Sequence, residues 1–415
     1  MLKILLGEFF SDLRSQKLRV FLTMFAVMWG TITIVLLLAF GEGLKQSLVA
    51  GIVNAGDRIL MVYGGQTSLN FEGMSKGRPI RLTEDDMLLI KQSLSREVEA
   101  VSPSYGQWGV TLETPDLRTT TFMEGVHPSF EGMRRMYPVQ GGRFLNLKDV
   151  EDKRRVVFLG DAIAERLFPG QDPVGREVNI DGLPFTVIGL MQGKMQTAMN
   201  NGPDADRAII PASTFHMIYG HRHVSHLLVK PVDHQQAELV KSELYRVLGR
   251  KHQFNASDER ALGIWDLIEG QKQTEQVFLG IQIFLGVVGG LTLLVAGMGV
   301  ANIMFVVVRE RTREIGVKRA IGARRRHIVG QFIAESVVIS MTGGLLGFAI
   351  AATIVSLVAG IPEKEGPMEM IGNPEISIPI ALLTIGTLTA IGIVAGAFPA
   401  RKAAQVDPVE SLRYE

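Results

Sequence analysis

Arg309–His327, RERTREIGVKRAIGARRRH, holds eight Lys/Arg (Arg309, Arg311, Arg313, Lys318, Arg319, Arg324, Arg325, Arg326) against two acids, Glu310 and Glu314. Long apolar runs flank it on both sides. A basic loop this short between two membrane-length segments belongs on the cytoplasmic face, because Lys and Arg near span ends are retained there. Once that side is assigned, the topology of the whole chain follows from it.

Upstream, Val277–Val308 carries no charge over 32 residues, more than a bilayer requires. The preceding Trp265–Gln276, WDLIEGQKQTEQ, is polar and compatible with helix. We expect span 277–308 to extend upstream, from about residue 265, as a continuous stalk. A separate polar helix joined to a tilted span is the competing reading. Downstream, residues 328–361 form the next span, with Glu335 near its inner end. Residues 362–375 have four glutamates but only Lys364, as suits an external loop. Residues 376–400 form the last span, and Arg401, Lys402 and Arg413 in the 401–415 tail keep the C-terminus cytoplasmic.

At the other end, residues 1–19 place Leu2, Leu5, Leu6, Phe9, Phe10 and Leu13 at helical spacing opposite Lys3, Glu8, Asp12 and Arg14. This is the pattern of an amphipathic helix at a membrane surface. Val20–Gly41 is uncharged over 22 residues, a length of roughly 33 Å as helix, enough to cross the hydrocarbon core. Glu42-Gly43-Leu44-Lys45 offers no small-residue cleavage site, so 20–44 reads as a retained span with a cytoplasmic N-terminus.

Residues 45–274 differ in character. Short β-like runs such as Arg58–Val62 and Val156–Gly160 alternate with Gly, Pro and Asp turns. Glu177–Ile180 and Leu183–Leu190, joined by Asp181-Gly182, predict a hairpin with a type I′ turn. Thr83 ahead of Glu84, Asp85 and Asp86 predicts a capped helix through Leu94, and 235–248 a second helix. The expected fold class is thus membrane α-helical plus α+β: four transmembrane helices with a large extracytoplasmic α+β domain between the first and second. Whether that domain has one lobe or two is open, because the pattern weakens between Gly106 and Arg118.

The composition excludes several functions. A net charge of +1 argues against a nucleic-acid partner, and the absence of Cys excludes disulfides and thiolate metal sites. His216, His221, His223 and His226 cluster in sequence, but no acid lies among them, and we expect no metal site. No paired-carboxylate or Ser/His/Asp set is visible, so no catalytic residue is assigned. A phosphate-binding loop needs Gly-x-x-x-x-Gly-Lys-Ser/Thr after a strand. GEGLKQS (Gly41–Ser47) does not supply it. Gly286/Gly290, Gly343/Gly347 and Gly392/Gly396 put Gly-x-x-x-Gly in spans two, three and four, as helix packing within and between protomers requires. Glu335 is either a proton or substrate site, or an acid paired with Gln331 or a loop arginine. The basic loop itself is either a lever, with helix over Thr312–Ile321 that uses Ile315, Val317 and Ile321 as apolar contacts and is broken at Gly322-Ala323, or plain positive charge without defined order.

NIMFVVVRERTREIGVKRAIGARRRHIVGQFIAESVVIS (Asn302–Ser340) resembles the signature of the MacB/FtsX-type ABC permeases, which include LolC/LolE-related chains. Gly396–Ala404 with Asp407–Glu415 is similar to the family's C-terminal ending, and Leu18–Thr23 to its entry. Gly142-Arg143-Phe144, Leu159-Gly160, Leu167-Phe168, Asp172–Arg176 and Pro184–Gly189 resemble its periplasmic core domain. The resemblance implies a dimeric permease, homo- or heteromeric, in the cell inner membrane. It implies that Glu310, Arg311, Glu314, Ile315, Gly316, Arg319, Gly322 and Ala323 contact an ABC ATPase, which binds the ATP and Mg. ATP-driven closure of that ATPase would then be passed through the stalk by mechanotransmission. In MacB the ATPase is fused ahead of the permease, whereas this chain begins at the interfacial helix, so the ATPase is expected in trans. The expected work is efflux or extraction of an amphipathic antibiotic, peptide or lipid-like substrate with a periplasmic adaptor. The alternatives are LolC/LolE-like lipoprotein release and FtsX-like activation of cell-wall hydrolases.

Overall fold

The structure is a computed structural model that describes residues 17–361 and 372–405. The expected interfacial helix falls almost wholly outside these residues, as do most of the 362–375 loop and the end of the C-terminal tail. In chain order the elements are α1 (Lys17–Ala55), β1 (Leu60–Gly64), α2 (Glu84–Ser93), β2 (Val98–Glu113), β3 (Arg118–Val126), α3 (Phe130–Arg134) and α4 (Leu147–Glu151). Next come β4 (Val156–Leu159), α5 (Asp161–Leu167), β5 (Glu177–Ile180), β6 (Leu183–Leu190), β7 (Arg207–Pro211), α6 (Ala212–Tyr219), β8 (His226–Pro231), α7 (Ala237–His252) and β9 (Leu262–Asp266). The chain closes with α8 (Leu267–Glu310), α9 (Thr312–Ala320), α10 (Arg325–Ala359) and α11 (Ile378–Ala404). These divide into two compact units, Met1–Ser47 with Gln276–Glu415, and Leu48–Glu275.

The first unit contains helices because a chain in hydrocarbon must satisfy its own backbone hydrogen bonds. α1, α8, α10 and α11 are each long and apolar enough to cross a membrane. Val27, Ile34, Val35 and Leu38 of α1 and Leu293, Ala296, Val300, Met304 and Val308 of α8 repeat at helical spacing and are buried in one cluster. From Leu267 onward the polar stretch before the second span is continuous helix with it, α8 running 44 residues without a break, whereas Trp265 and Asp266 end β9 instead.

Glycines set several of the helix contacts. A Cβ at Gly347 of α10 would lie 2.5 Å from the Met28 carbonyl of α1, and one at Gly343 2.9 Å from that of Met24. Gly392 of α11 approaches Val337 Cα of α10 in the same way, at 2.8 Å, and Gly396 abuts Ser336 and Ile333. Ser336 donates its hydroxyl to the Gly392 carbonyl at 2.7 Å. Gly286 and Gly290 of α8 behave differently, since a Cβ at either would meet nothing within 4 Å outside its own helix turn among the described residues. It is Gly289 that admits a neighbour, Ile34, at 2.5 Å.

The second unit is one α+β body on a nine-stranded sheet of order β3-β7-β4-β6-β5-β2-β8-β1-β9. β2 also pairs with β3, so six strands close into a ring. β2 does both jobs: Val98–Ser104 pairs with β8, while Ser104–Glu113 pairs with β3. The Gly106–Arg118 stretch, where the sequence pattern weakens, is the far half of β2 and its turn, bent by a bulge between Gln107 and Val110. A bulge interrupts the period-two signal locally, and one sheet carries the whole domain. Asp181 (φ 46°) and Gly182 (φ 81°) form the expected two-residue turn between β5 and β6. The Thr83 amide donates to Asp86 at 2.7 Å and caps α2. Asp86 also takes Lys251 (2.7 Å) and His252 (2.9 Å) from the end of α7. Although burial opposes its charge, those bonds hold its carboxyl down to about 2.

Candidate functional site: the basic loop

The basic loop is ordered by a helix stop. Ala323 N–H donates to the Lys318 carbonyl and Gly322 N–H to that of Arg319, both at 3.0 Å. This pair of bonds is the Schellman motif, with Gly322 at the position that needs positive φ, here 100°. Arg324 then turns extended and begins α10. At the other end, Thr312 Oγ1 donates to the carbonyls of Val308 (3.1 Å) and Arg309 (2.8 Å), closing the α8–α9 junction.

The inner face of α9 is fastened to the membrane unit. Ile315 is 3% exposed and clusters with Val308, Ile328 and Phe332, and Gly316 is buried. Arg311 Nη1 donates to Glu335 Oε1 at 3.1 Å, and Gln331 Nε2 donates to the same oxygen at 3.1 Å. Both charged side chains are about 12% exposed. Glu335 is therefore paired with both of its candidate partners. Lys318 and Glu314 bridge one turn of α9 at 2.5 Å.

Of the eight residues assigned from the resemblance, Ile315 and Gly316 thus face inward and hold the helix, while Arg311 spends its guanidinium on Glu335. Glu310 and Gly322 are exposed, and Glu314, Arg319 and Ala323 half-buried. Ile321, outside that set, is 82% exposed at the C-terminal tip of α9, next to Val317 at 40%. An isoleucine bared beside a helix stop is the one signal in the loop that charge counting passes over.

The histidines do not converge. His216 Nδ1 bonds the His221 carbonyl at 2.6 Å, whereas His226 is buried against Tyr63, with ring centroids 5.0 Å apart. Burial, the main cause, pushes His226 down to about 4, and it stays neutral. It sits beside a buried charge network absent from the sequence reading. Arg134 and Lys194 bind Asp204 at 2.5 and 2.8 Å, and Arg207 binds Glu124 at 2.5 Å. Lys194 also donates to the carbonyls of Asn54 (2.8 Å) and Arg134 (2.5 Å). Through Asn54 the network grips the last turn of α1. The only candidate metal-ligand group among the described residues, Glu238, Asp266 and Glu269, is already bridged by Lys241, 2.6 Å from Asp266 and 2.7 Å from Glu238.

Four helices long and apolar enough to cross a membrane, an ordered basic loop between two of them and an inserted α+β domain define a multi-pass membrane protein. A family model described as MacB-like periplasmic core domain matches residues 20–247, and one described as FtsX-like permease C-terminal matches residues 286–408. The chain belongs to the MacB-like, FtsX-like family of ABC transporter permeases. It is 31% identical over 414 residues to the macrolide export ATP-binding/permease protein MacB of Bdellovibrio bacteriovorus, covering 99% of this chain and 61% of that protein. It is 29% identical over 406 residues to the pyoverdine export ATP-binding/permease protein PvdT of Pseudomonas putida, covering 96% of this chain and 58% of that one. The chain therefore spans about 60% of the length of these curated relatives. Among solved structures, the periplasmic region of MacB from Actinobacillus actinomycetemcomitans is similar, with a TM-score of 0.43 and 21% identity, covering 54% of this chain and 95% of that one. The extracellular domain of the Gram-positive ABC-type transporter YknZ gives 0.41 and 18%, covering 50% and 100%.

Proposed function

We propose that this chain is the non-catalytic membrane subunit of an inner-membrane ABC complex. It couples ATP hydrolysis on a separate ATPase, which binds ATP and Mg, to efflux or extraction of an amphipathic substrate on the far side of the membrane. The carrying observation is the form of α9: a stopped helix, fastened inward by Ile315 and the Arg311–Glu335 pair, with Ile321 bared at its tip. A partner that moves such a helix moves α8 and α10 with it, because each is joined to it within a few residues. The uninterrupted α8 supports transmission by mechanotransmission, since its 44 residues are helical without a break. Two permease protomers and a periplasmic adaptor complete the proposed assembly, in which both termini are cytoplasmic.

The test is co-purification with the ABC ATPase encoded nearest to this chain. Ile321→Glu and Glu314→Arg should abolish ATPase retention and transport while membrane insertion persists. Retention and transport surviving in both variants would sink the reading.

A further inference from the structure

Nearly every strand of the extracytoplasmic sheet is flanked on both sides. The six-strand ring removes the edges of β3, β7, β4, β6 and β5, and β8 and β1 lie between neighbours. β9 pairs with β1 alone among the described residues. β9 is short and ends on Asp266, but its sequence, Leu-Gly-Ile-Trp-Asp, contains no Pro or Lys and its register has no bulge, so its middle stays open to further pairing at Ile264.

The backbone directions are determined by alternation. Gly65 N–H donates to the Ala261 carbonyl (3.0 Å) and Leu267 N–H to that of Ile59 (3.1 Å). In an antiparallel ladder alternate residues face the same partner, so Gly263 and Trp265 turn to β1, and Leu262, Ile264 and Asp266 turn outward. The Leu262 carbonyl accepts the Tyr245 hydroxyl at 3.0 Å. The N–H and C=O of Ile264 point into an open cleft between α7, β9 and the first turns of α8, whose volume is about 1190 Å³.

We infer that this cleft is a β-augmentation site, at which an extended, Lys/Arg-bearing segment of a partner protein adds a strand to β9. The lining selects the charge. Five carboxylates, Glu238, Glu243, Glu259, Asp266 and Glu269, face two cations, Lys241 and Arg246. Lys241 is spent on Glu238, Asp266 and Glu269, and Arg246 on Glu243. Among the described residues no cation pairs with Glu259, which leaves the cleft acidic. A second copy of β9 would bring the same acids against themselves, whereas a basic strand meets them while its main chain bonds Ile264. Half-exposed Trp265 offers an apolar surface for one of its side chains.

The probe is a short synthetic peptide of alternating lysine and valine, added to the full chain in lipid nanodiscs. Its control is the same peptide N-methylated at every backbone amide, which has no N–H left to pair as a strand along either edge. The lysine–valine peptide should bind and slow exchange of the Ile264 amide. The N-methylated analogue should bind at least about tenfold more weakly, as should the parent peptide to Glu259→Lys. Equal binding of the two peptides would reduce the interaction to charge alone and overturn the inference. So would an unchanged Ile264 amide with peptide bound, or disulfide-linked dimers of Gly263→Cys in native membranes, which would make the occupant a second copy.

Discussion

Arg311 and Glu335 join α9 to α10 across 24 residues of sequence, with Nη1 and Oε1 3.1 Å apart. Both groups are largely withdrawn from water, so losing either leaves the other poorly solvated. Arg311→Ala and Glu335→Ala should each destabilise the membrane unit by about 1–3 kcal/mol. The double variant should fall short of their sum by about 1 kcal/mol or more. Thermal unfolding in detergent of the two single variants and the double checks this, and strict additivity would count against a working pair.

Gly322 terminates α9 at φ 100°, a region closed to a β-branched side chain. Gly322→Val should cost about 1–3 kcal/mol locally and erase the stop, with insertion unchanged. ATPase stimulation by the reconstituted complex should fall severalfold. Normal stimulation would mean that the position of the stop is irrelevant.

The glycines separate into two groups by what faces them. Gly347→Leu drives a side chain into the Met28 backbone and should lower the melting temperature markedly, the cost of overpacking being about 1–3 kcal/mol or more. A Cβ at Gly290 meets nothing within 4 Å among the described residues, and Gly290→Leu should leave the melting of a single protomer unchanged. If Gly290→Leu instead shifts the oligomeric state in cross-linking, α8 packs between protomers. Equal destabilisation by both substitutions would contradict the packing described above.

Protonation of His226 should cost stability on the acid side. Its folded value is about 4 against an ordinary 6.5. Between those limits the unfolded chain takes up a proton that the folded chain refuses, so the contribution is complete above pH 6.5 and lost as pH falls toward 4. The loss is about 3 kcal/mol for this shift. Denaturant unfolding at pH 7.5 and 4.5 should show the wild type losing more than His226→Gln, and parallel losses would refute it.

Disruption of the buried network should be severe. Asp204→Asn leaves Arg134, Lys194 and Arg207 without their shared counter-charge. A loss of about 3–5 kcal/mol is expected, as for a buried pair broken on one side. Proteolysis after Lys194 should accelerate accordingly, and wild-type resistance would refute the assignment.

The membrane helices and the hairpin turn were readable because each rests on a local rule. An uncharged run must become a helix in hydrocarbon, and Asp181-Gly182 admits positive φ. The stop at Gly322 was readable for the same reason. The network of Arg134, Glu124, Lys194, Asp204 and Arg207 was not, because its members come from four separate segments and each looks like a surface charge in its own. Ile321 was hidden differently: its spacing from Ile315 and Val317 suggests an inward contact, and only the fold shows that Ile315 alone of the three is buried while Val317 and Ile321 face outward. Ring closure was also out of reach, since parallel pairing of β3 with β7 joins residues about eighty positions apart.

That closure bears on how the domain is made. A ring has no stable half: β3 lacks its second neighbour until Arg207–Pro211 has been delivered, and β4 lacks the same one. Pairing over such separations is slow because the loop must be closed before any bond repays it. The inserted domain should therefore stay protease-sensitive during synthesis until most of it has crossed the membrane, and then become resistant in one step. A pause in translation within β4–β7 would prolong the vulnerable interval, whereas one within α8 would not.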